Sequence, residues 1–302
     1  MPGIHVRPCG QEVCFRGIGN SCMNRHRHFN LWLHSDEELA PLVGGDIVER
    51  ATLHEWPLSC VQQVTTSGGR RFIYKTQFGP TVESEFYASA RSSLLVAGRT
   101  IYESSGYVCM LFDFIEASSI KDLNLSEEEA VRIGRAVVER IGEITGELPY
   151  FVDLRTQERW EALVGATLNG LRRLIDQGEF SLLGEAAVRD LERWAFSEPA
   201  LSAIRTDPGY VHGDLAGDNL FVLADGYRVI DWQFPRLGPT DVDLATLVES
   251  LGFDPLQHVD EGVVQVMCFL RVHWLTQCAV RWIRDGAAGY DGQIAQLVSR
   301  ML

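Results

Sequence analysis

The sequence predicts an α+β protein of two lobes: a small N-terminal lobe built on an antiparallel sheet and a larger, mainly helical C-terminal lobe. Three observations predict it. Residues 51–113 hold four segments of strand character, the first two alternating apolar and polar residues, separated by turn signals and one helical stretch. From residue 126 onward, four long segments repeat apolar residues at helical spacing. Between the third and fourth of these lies one island of strand character with a hairpin turn. On this reading residues 1–50 are a leader with one helix that joins the small lobe, residues 51–113 are its main body, and residues 114–302 form the larger lobe.

The elements follow in order. In the leader, Ser35 with Glu38 three residues later is a capping box for a helix over "SDEELAPLV". Cys9, Cys14, Cys22, His26 and His28 also lie there, but their spacing matches no paired zinc pattern, so they read as ordinary residues. "CVQQVTT" and "RFIYKTQF" are strands joined by the Ser-Gly-Gly turn. Gly79-Pro80 breaks the chain, and Thr81 caps a helix over 82–98, "VESEFYASARSSLLVAG". A second strand pair follows, "TIYESSG" and "YVCMLFDFI". The first helix of the larger lobe opens with a capping box, Ser126 with Glu129, and carries Val131, Val137, Val138, Ile141 and Ile144 on one face. "ERWEALVGATLNGLRRLID", "GEAAVRDLERWA" and "GVVQVMCFLRVHWLTQCAVRWI" are the other three helices. The island before the last is "NLFVL", a turn at Asp225-Gly226, and "YRVID".

Composition bounds the function. A chain of 302 residues can bury a sizeable core. The formal net charge of −14 repels nucleic acid and anionic membranes, which argues against either as a partner. The N-terminus lacks the apolar segment of a signal peptide, and no run approaches the ~18 apolar residues of a membrane span. The seven scattered cysteines then read as reduced, mostly buried thiols of a cytoplasmic protein. Only two lysines occur, Lys75 and Lys121, so any mechanism that needs a lysine has two candidates.

The stretch "VHGDLAGDNLFV" at 211–222 concentrates chemistry. Asp214 and Asn219 precede the first hairpin strand and Asp231 ends the second, so the hairpin brings the three together across eighteen positions. Two carboxylates and an amide are hard oxygen ligands that suit Mg²⁺, the usual partner of phosphates. A polar turn would explain Gly213, Gly217 and Asp218, but not an acid that ends an apolar strand before Trp232.

His212-Gly213-Asp214, four residues, then Asn219, with Ile230-Asp231-Trp232 and "GPTDVDLATL" downstream, resembles the aminoglycoside phosphotransferase and choline-kinase-like family of the protein-kinase-like fold. The resemblance implies that Asp214 is the catalytic base and that Asn219 and Asp231 hold Mg²⁺ on the phosphates of ATP or GTP. It implies supporting roles for His212 and Asp243, and leaves Asp218 a solvated or capping residue. A lysine on a strand of the small lobe should contact the phosphates, held by a helix glutamate. Lys75 in "RFIYKTQF" is at the expected place, and Lys121 reads as a surface residue. Of Glu83 and Glu85, Glu83 shares a helical face with Phe86, Tyr87, Ala90 and Leu94, so it is the better partner. No G-x-G-x-x-G precedes Lys75; the segment expected over the phosphates is "LHEWPLSCVQQV", where Ser59 is the candidate contact. Adenine is expected near "MLFDFIEA", read by backbone around Phe112 to Phe114.

No Ala-Pro-Glu segment follows Asp231, which disfavours a protein substrate. The expectation is a small-molecule kinase, monomeric or homodimeric, acting on a small hydroxylated molecule, cationic ones included. Asp254, Asp260, Glu261, Asp285 and Asp291, with Trp274 and Trp282, would hold an amine if they converged, and are otherwise ordinary helix residues. Two rivals stand beside it: a nucleotide-binding pseudokinase without transfer, and a metal-dependent phosphohydrolase.

Overall fold

The computed structural model describes residues 12–16, 20–283 and 286–302. Cys9, Asp285 and the side chains of Cys14 and Cys22 lie outside the described residues. The chain divides into two compact units, Met1–Pro80 with Val96–Glu116, and Thr81–Leu95 with Ala117–Leu302.

The first unit is built on a five-stranded antiparallel sheet. Its strands are β4 (Ile47–Trp56), β5 (Ser59–Thr66), β6 (Arg71–Phe78), β7 (Gly98–Ser104) and β8 (Tyr107–Asp113), in the order β4-β5-β6-β8-β7. Lys75 sits mid-strand in β6, opposite Val61 on one side and Met110 on the other. The leader is more regular than its composition suggests. Strands β1 (Glu12–Arg16), β2 (Asn20–Arg25) and β3 (Trp32–Leu33) form a small antiparallel sheet. Helix α1 (Asp36–Val43) follows, with both halves of the Ser35–Glu38 capping box formed. Leu39 and Val43 of α1 pack with Val64, Phe72, Tyr74 and Leu111 of the large sheet. His26 and Glu55 pair at 3.1 Å, so that leader histidine serves the sheet edge. The thiols of Cys60, Cys109, Cys268 and Cys278 are free and buried.

The second unit begins with α2 (Glu83–Ser89). The expected helix over 82–98 stops nine residues early for a physical reason. Ala90 turns extended, and Arg91 exchanges two backbone hydrogen bonds with Thr145. Leu95 then bridges Val229. These non-local pairings outcompete continued helix, whose sequence there carries Ser92 and Ser93, weak helix formers. Thr81 Oγ1 accepts from the Glu83 backbone N–H, as a cap would, although Val82 is the residue at the helix boundary. Phe86 of α2 is fully buried and stacks on Trp232 at 4.4 Å, which ties the helix to this unit.

Helices α3 (Glu127–Gly142), α4 (Gln157–Asp176), α5 (Glu185–Ala195) and α8 (Glu261–Gln277) correspond to the four expected segments. The Ser126–Glu129 capping box is formed. Helices α6 (Glu198–Arg205), α7 (Asp241–Ser250) and α9 (Ala288–Met301) join them. A small sheet of β9 (Val152–Asp153), β10 (Pro208–Val211) and β13 (Arg236–Pro239) and a hairpin of β11 (Leu220–Leu223) and β12 (Gly226–Val229) complete the unit. One stretch, Glu261–Trp282, is long and apolar enough to cross a membrane by length and composition. Polar residues such as Gln265, Arg271 and His273 interrupt it in the sequence, which hid its length from the count of apolar runs. Its apolar residues are spent inside the protein. Val263, Val266, Met267, Phe269, Leu270 and Val272 are buried in the main core with side chains of α4, α5, α6 and α7. A helix apolar on most faces is a core helix when other helices surround it.

Candidate active site

The hairpin does the positioning. Leu220 pairs with Val229, and the Ile230 N–H donates to the Asn219 carbonyl at 3.0 Å. Asn219 is thereby fixed beside the residue that precedes Asp231. Asp231 has φ +69°, a left-handed conformation uncommon for a non-glycine residue. The chain turns sharply there, and the next side chain, Trp232, enters the core with no exposed surface. Its indole N–H donates to Val229 O at 3.0 Å. Asp231 Oδ1 accepts from the Gln233 amide at 2.6 Å. Outliers of this kind concentrate where geometry serves function rather than stability.

Asp214 lies on the loop before the hairpin, and a clamp behind it holds that loop. Asp243, in the first turn of α7, is buried and accepts from the backbone N–H groups of His212 at 2.6 Å and Gly213 at 2.9 Å. His212 is fully buried; its Nε2 meets Ile230 O at 2.9 Å, and its Nδ1 accepts from the Asp214 N–H at 3.2 Å. These contacts fix the neutral tautomer with the proton on Nε2. The ring packs edge-on against Trp232 at 4.5 Å. Further along, the Asn219 amide nitrogen donates to Asp214 O at 2.9 Å. Gly217 N–H donates to Ser250 Oγ at 2.9 Å, a second anchor from α7.

The charges around Asp214 are mixed. Its carboxylate is accessible to solvent, but the surrounding protein and then the Asp231 carboxylate push its pKa up, while Arg236 and Arg271 pull it down. Arg236, on β13, was not singled out in the sequence. The signal was there: it is the single basic residue between Asp231 and Asp243. Its Nε is buried without a hydrogen-bond partner, burial lowers its pKa, and Asp214 and Asp243 favour its charge. Burial pushes Asp243 up to about 7, against the two backbone N–H groups and Arg236.

The sign of the resulting pH effect is fixed. Folded Asp243 keeps its proton to about 7, whereas the unfolded chain releases it near the ordinary 3.8. In that window the folded state binds more protons, so this group's contribution to stability falls as pH rises. Asp243→Asn is expected to remove the dependence and to orphan one of the two backbone N–H groups, destabilising the fold by about 1–3 kcal/mol. Denaturant midpoints of both proteins at about pH 5 and about pH 8 check it; equal pH responses would contradict the assignment.

Gly213 cannot be replaced cheaply. Its φ is +87°, and a Cβ there would stand 2.3 Å from the Phe234 carbonyl oxygen. Gly213→Ala is expected to cost about 1–3 kcal/mol of stability and to displace Asp214. Thermal melts and steady-state kinetics read the two effects separately.

The remaining expected residues fall as follows. Glu83 is buried, whereas Glu85 is exposed, as the helical-face argument required. Glu83 and Asp231 both act on the phenol of Tyr87, whose pKa burial and these two carboxylates drive well above its usual value. Lys75 is buried in β6 of the first unit. Ser59 is buried at the start of β5, and its hydroxyl oxygen accepts from the Trp56 indole at 2.5 Å. Phe112 is paired on both sides within the sheet and its ring covers Gly98. The Asp113 N–H donates to Ala97 O at 2.9 Å. Of the expected adenine-reading backbone, only Phe114 onward lies beyond the ladder, with Arg71 stacked over the Phe114 ring at 4.1 Å. Asp218 pairs with Lys121 at 2.9 Å on the surface.

Among the described residues, Asp254, Glu261 and Asp291 of the C-terminal region have separate partners. Asp291 is buried and accepts from the backbone N–H groups of Ser181, Leu182 and Leu183, bonds that hold its pKa down against the upward push of burial. Asp254 caps the turn at Leu256, and Glu261 meets Gln265 within its own helix.

Among the described residues no cluster of three or more His, Cys, Asp and Glu side chains suits a metal. The Asn219 and Asp231 pair still fits Mg²⁺. That ion keeps several waters and needs one or two carboxylates beside its phosphates. The Asn219 amide nitrogen is committed to Asp214 O, which leaves the oxygen end for a ligand. Asp231 and Asp214 raise each other's electrostatic cost, which a cation would relieve.

An antiparallel-sheet unit, a helical unit and a His-Gly-Asp loop backed by a hairpin-end aspartate define a kinase-like phosphotransferase. The profile of the phosphotransferase enzyme family matches residues 85–274, more than half the chain. This chain belongs to that family. No curated protein sequence matches it. Among solved structures it is similar to a spectinomycin phosphotransferase in complex with ADP and spectinomycin, with 14% identity, TM-score 0.53, and 88% of this chain and 98% of the other covered. It is also similar to a thermostable mutant of an aminoglycoside phosphotransferase in a ternary complex with ADP and hygromycin B, at 14% identity, TM-score 0.56, and the same coverages. A choline/ethanolamine kinase family protein from Mesorhizobium loti matches at 14% identity and TM-score 0.54, covering 85% of this chain and 88% of that one. At these identities the likeness speaks for the fold.

Proposed function

We propose that this chain transfers the γ-phosphate of ATP or GTP to a hydroxyl group of a small molecule. The observation that carries the reading is the join at Asn219. Its amide bonds the catalytic-loop backbone at Asp214, and its carbonyl bonds the strand end next to Asp231. One residue thus ties the proposed base to the proposed metal ligands.

Phosphoryl transfer passes through a loose transition state, so positioning and charge neutralisation dominate. Asp214 accepts a hydrogen bond from the acceptor hydroxyl and orients it in line. Its raised pKa makes it a better proton acceptor than an ordinary aspartate. Asp243 and His212 keep its backbone fixed, so little reorganisation accompanies the reaction. Arg236, with Arg271, limits the rise in the Asp214 pKa and so favours the ionised carboxylate. Asn219 and Asp231 would hold Mg²⁺, which supplies charge neutralisation on the phosphates. We assign Lys75 to the phosphates, Glu83 to a supporting role, and backbone beyond Phe112, from Phe114, to adenine. At the Ser59 turn we assign phosphate contact to backbone, because the Ser59 hydroxyl oxygen is already engaged by Trp56.

A screen of hydroxylated small molecules with ATP and with GTP, read by nucleoside diphosphate release, tests the proposal. Acceptor-dependent release supports it. Diphosphate released at one rate whatever acceptor is added points instead to a phosphohydrolase, and nucleotide binding without any turnover to a pseudokinase.

A further inference from the structure

We propose that the acceptor carries a carboxylate joined to a flat apolar body, and that Arg271 and Arg300 receive the carboxylate. The proposal rests on the phosphotransferase reading and names the substrate class of the same site.

A pocket of about 390 Å³ lies along α8 and α9, walled by Arg271, Trp274, Gln293, Gln296, Leu297 and Arg300. That volume suits a small organic ligand. Its polar wall consists of two guanidiniums and two amides, with no carboxylate among the described residues that line it. Glu249 of α7 lies behind the arginines and is the less exposed group, at 20% of its side chain against 36% for Arg271 and 44% for Arg300. Both guanidiniums lean on it, Arg271 on one oxygen and Arg300 on the other. Two cations share one anion, so a positive charge remains at the wall. Each guanidinium offers five N–H donors in a fork that matches a carboxylate, and Glu249 occupies only part of them. Asp254, whose field reaches Arg300, stands outside the lining and spends Oδ1 on the Leu256 N–H.

One lining residue of the pocket, Trp274, packs toward the catalytic loop. Trp274 packs on Phe234 at 4.4 Å and lies 6.4 Å from Phe151, and Phe151 meets Phe234 at 5.1 Å. The Phe234 carbonyl abuts Gly213, next to Asp214. A partly exposed aromatic wall therefore runs from the arginines to the proposed base. Arg271 itself is near enough to lower the Asp214 pKa. A polycationic acceptor would meet guanidiniums here, and two of the acids that could have received it, Asp254 and Asp291, are spent on backbone N–H groups.

The test is calorimetric titration of the full chain, with and without AMP-PNP and Mg²⁺, by three matched alcohols: 3-phenyllactate, its amide, and 2-amino-3-phenylpropan-1-ol. The acid is expected to bind about tenfold more tightly than the amide, the gain of one charge-assisted contact, and the amino alcohol more weakly still. Arg271→Gln and Arg300→Gln should each erase the preference for the acid, whereas Arg271→Lys keeps part of it. A thermal melt of each variant separates lost binding from a broken Glu249 bridge. Equal binding of acid and amide, tighter binding of the amino alcohol, or no binding of the acid overturns the proposal. Nucleotide titrated into the same protein separates the two readings. Acid binding with no nucleotide binding defeats the phosphotransferase reading alone, and the reverse defeats the pocket assignment alone.

Discussion

Asp214→Asn is expected to lower kcat about a hundred- to ten-thousand-fold, the range for removing a positioned acid–base group, while nucleotide affinity changes little. Asparagine keeps the shape of the side chain, and the loop is held by backbone contacts that the substitution leaves intact. What is lost is a carboxylate whose basicity the surrounding protein and Asp231 have raised. Stability should hold or rise, because the variant removes a repulsion between two acids. Steady-state kinetics, a nucleotide titration and a thermal melt make the three measurements. Transfer that survives the substitution would remove Asp214 from the role of base. A fall in stability matching the loss of rate would instead make it structural.

Trp232→Ala is the largest expected effect on the fold, a loss of about 3–5 kcal/mol. The indole is fully buried, stacks on Phe86 at 4.4 Å, meets the His212 ring at 4.5 Å and donates to Val229 O. The core cluster it belongs to also holds Leu94, Ile120, Val137, Leu215, Leu220 and Leu247, which come from six segments and cannot all collapse into the space left behind. Because the same side chain supports the His212 loop and the turn at Asp231, the remaining folded protein should also lose activity. Equilibrium denaturation checks the first effect. A cost below about 1 kcal/mol, typical of a surface change, would contradict this packing.

The candidate site was legible because it is local. Asp214, Asn219 and Asp231 lie on one loop and one hairpin, and a hairpin brings its ends together. This holds even though the turn falls at Ala224-Asp225, one residue before the expected Asp225-Gly226, and the strand ends at Val229, two residues before Asp231. Glu83 was separable from Glu85 because helical period alone sorts buried from exposed. The early end of α2 was not legible, since it depends on Arg91 meeting Thr145, fifty-four positions away. Nor was the small sheet of β9, β10 and β13, whose strands are four residues or fewer and carry no periodicity. Arg236 escaped for a related reason: its closeness to Asp214 arises from β10 pairing with β13 and from no spacing along the chain. The pocket arginines likewise come together only in the fold, where α8 and α9 pack beside Glu249 of α7.

The central claim is transfer of a nucleotide's γ-phosphate to a small-molecule hydroxyl. Phosphorus-31 NMR of the chain with Mg²⁺, ATP and a mixed set of hydroxylated acceptors tests it most directly. The account predicts a new phosphomonoester signal that grows in step with ADP and is absent with Asp214→Asn. Diphosphate appearing with an equal amount of inorganic phosphate and no phosphomonoester, or both ATP and, in a parallel sample, GTP left intact across the whole acceptor set, would contradict it.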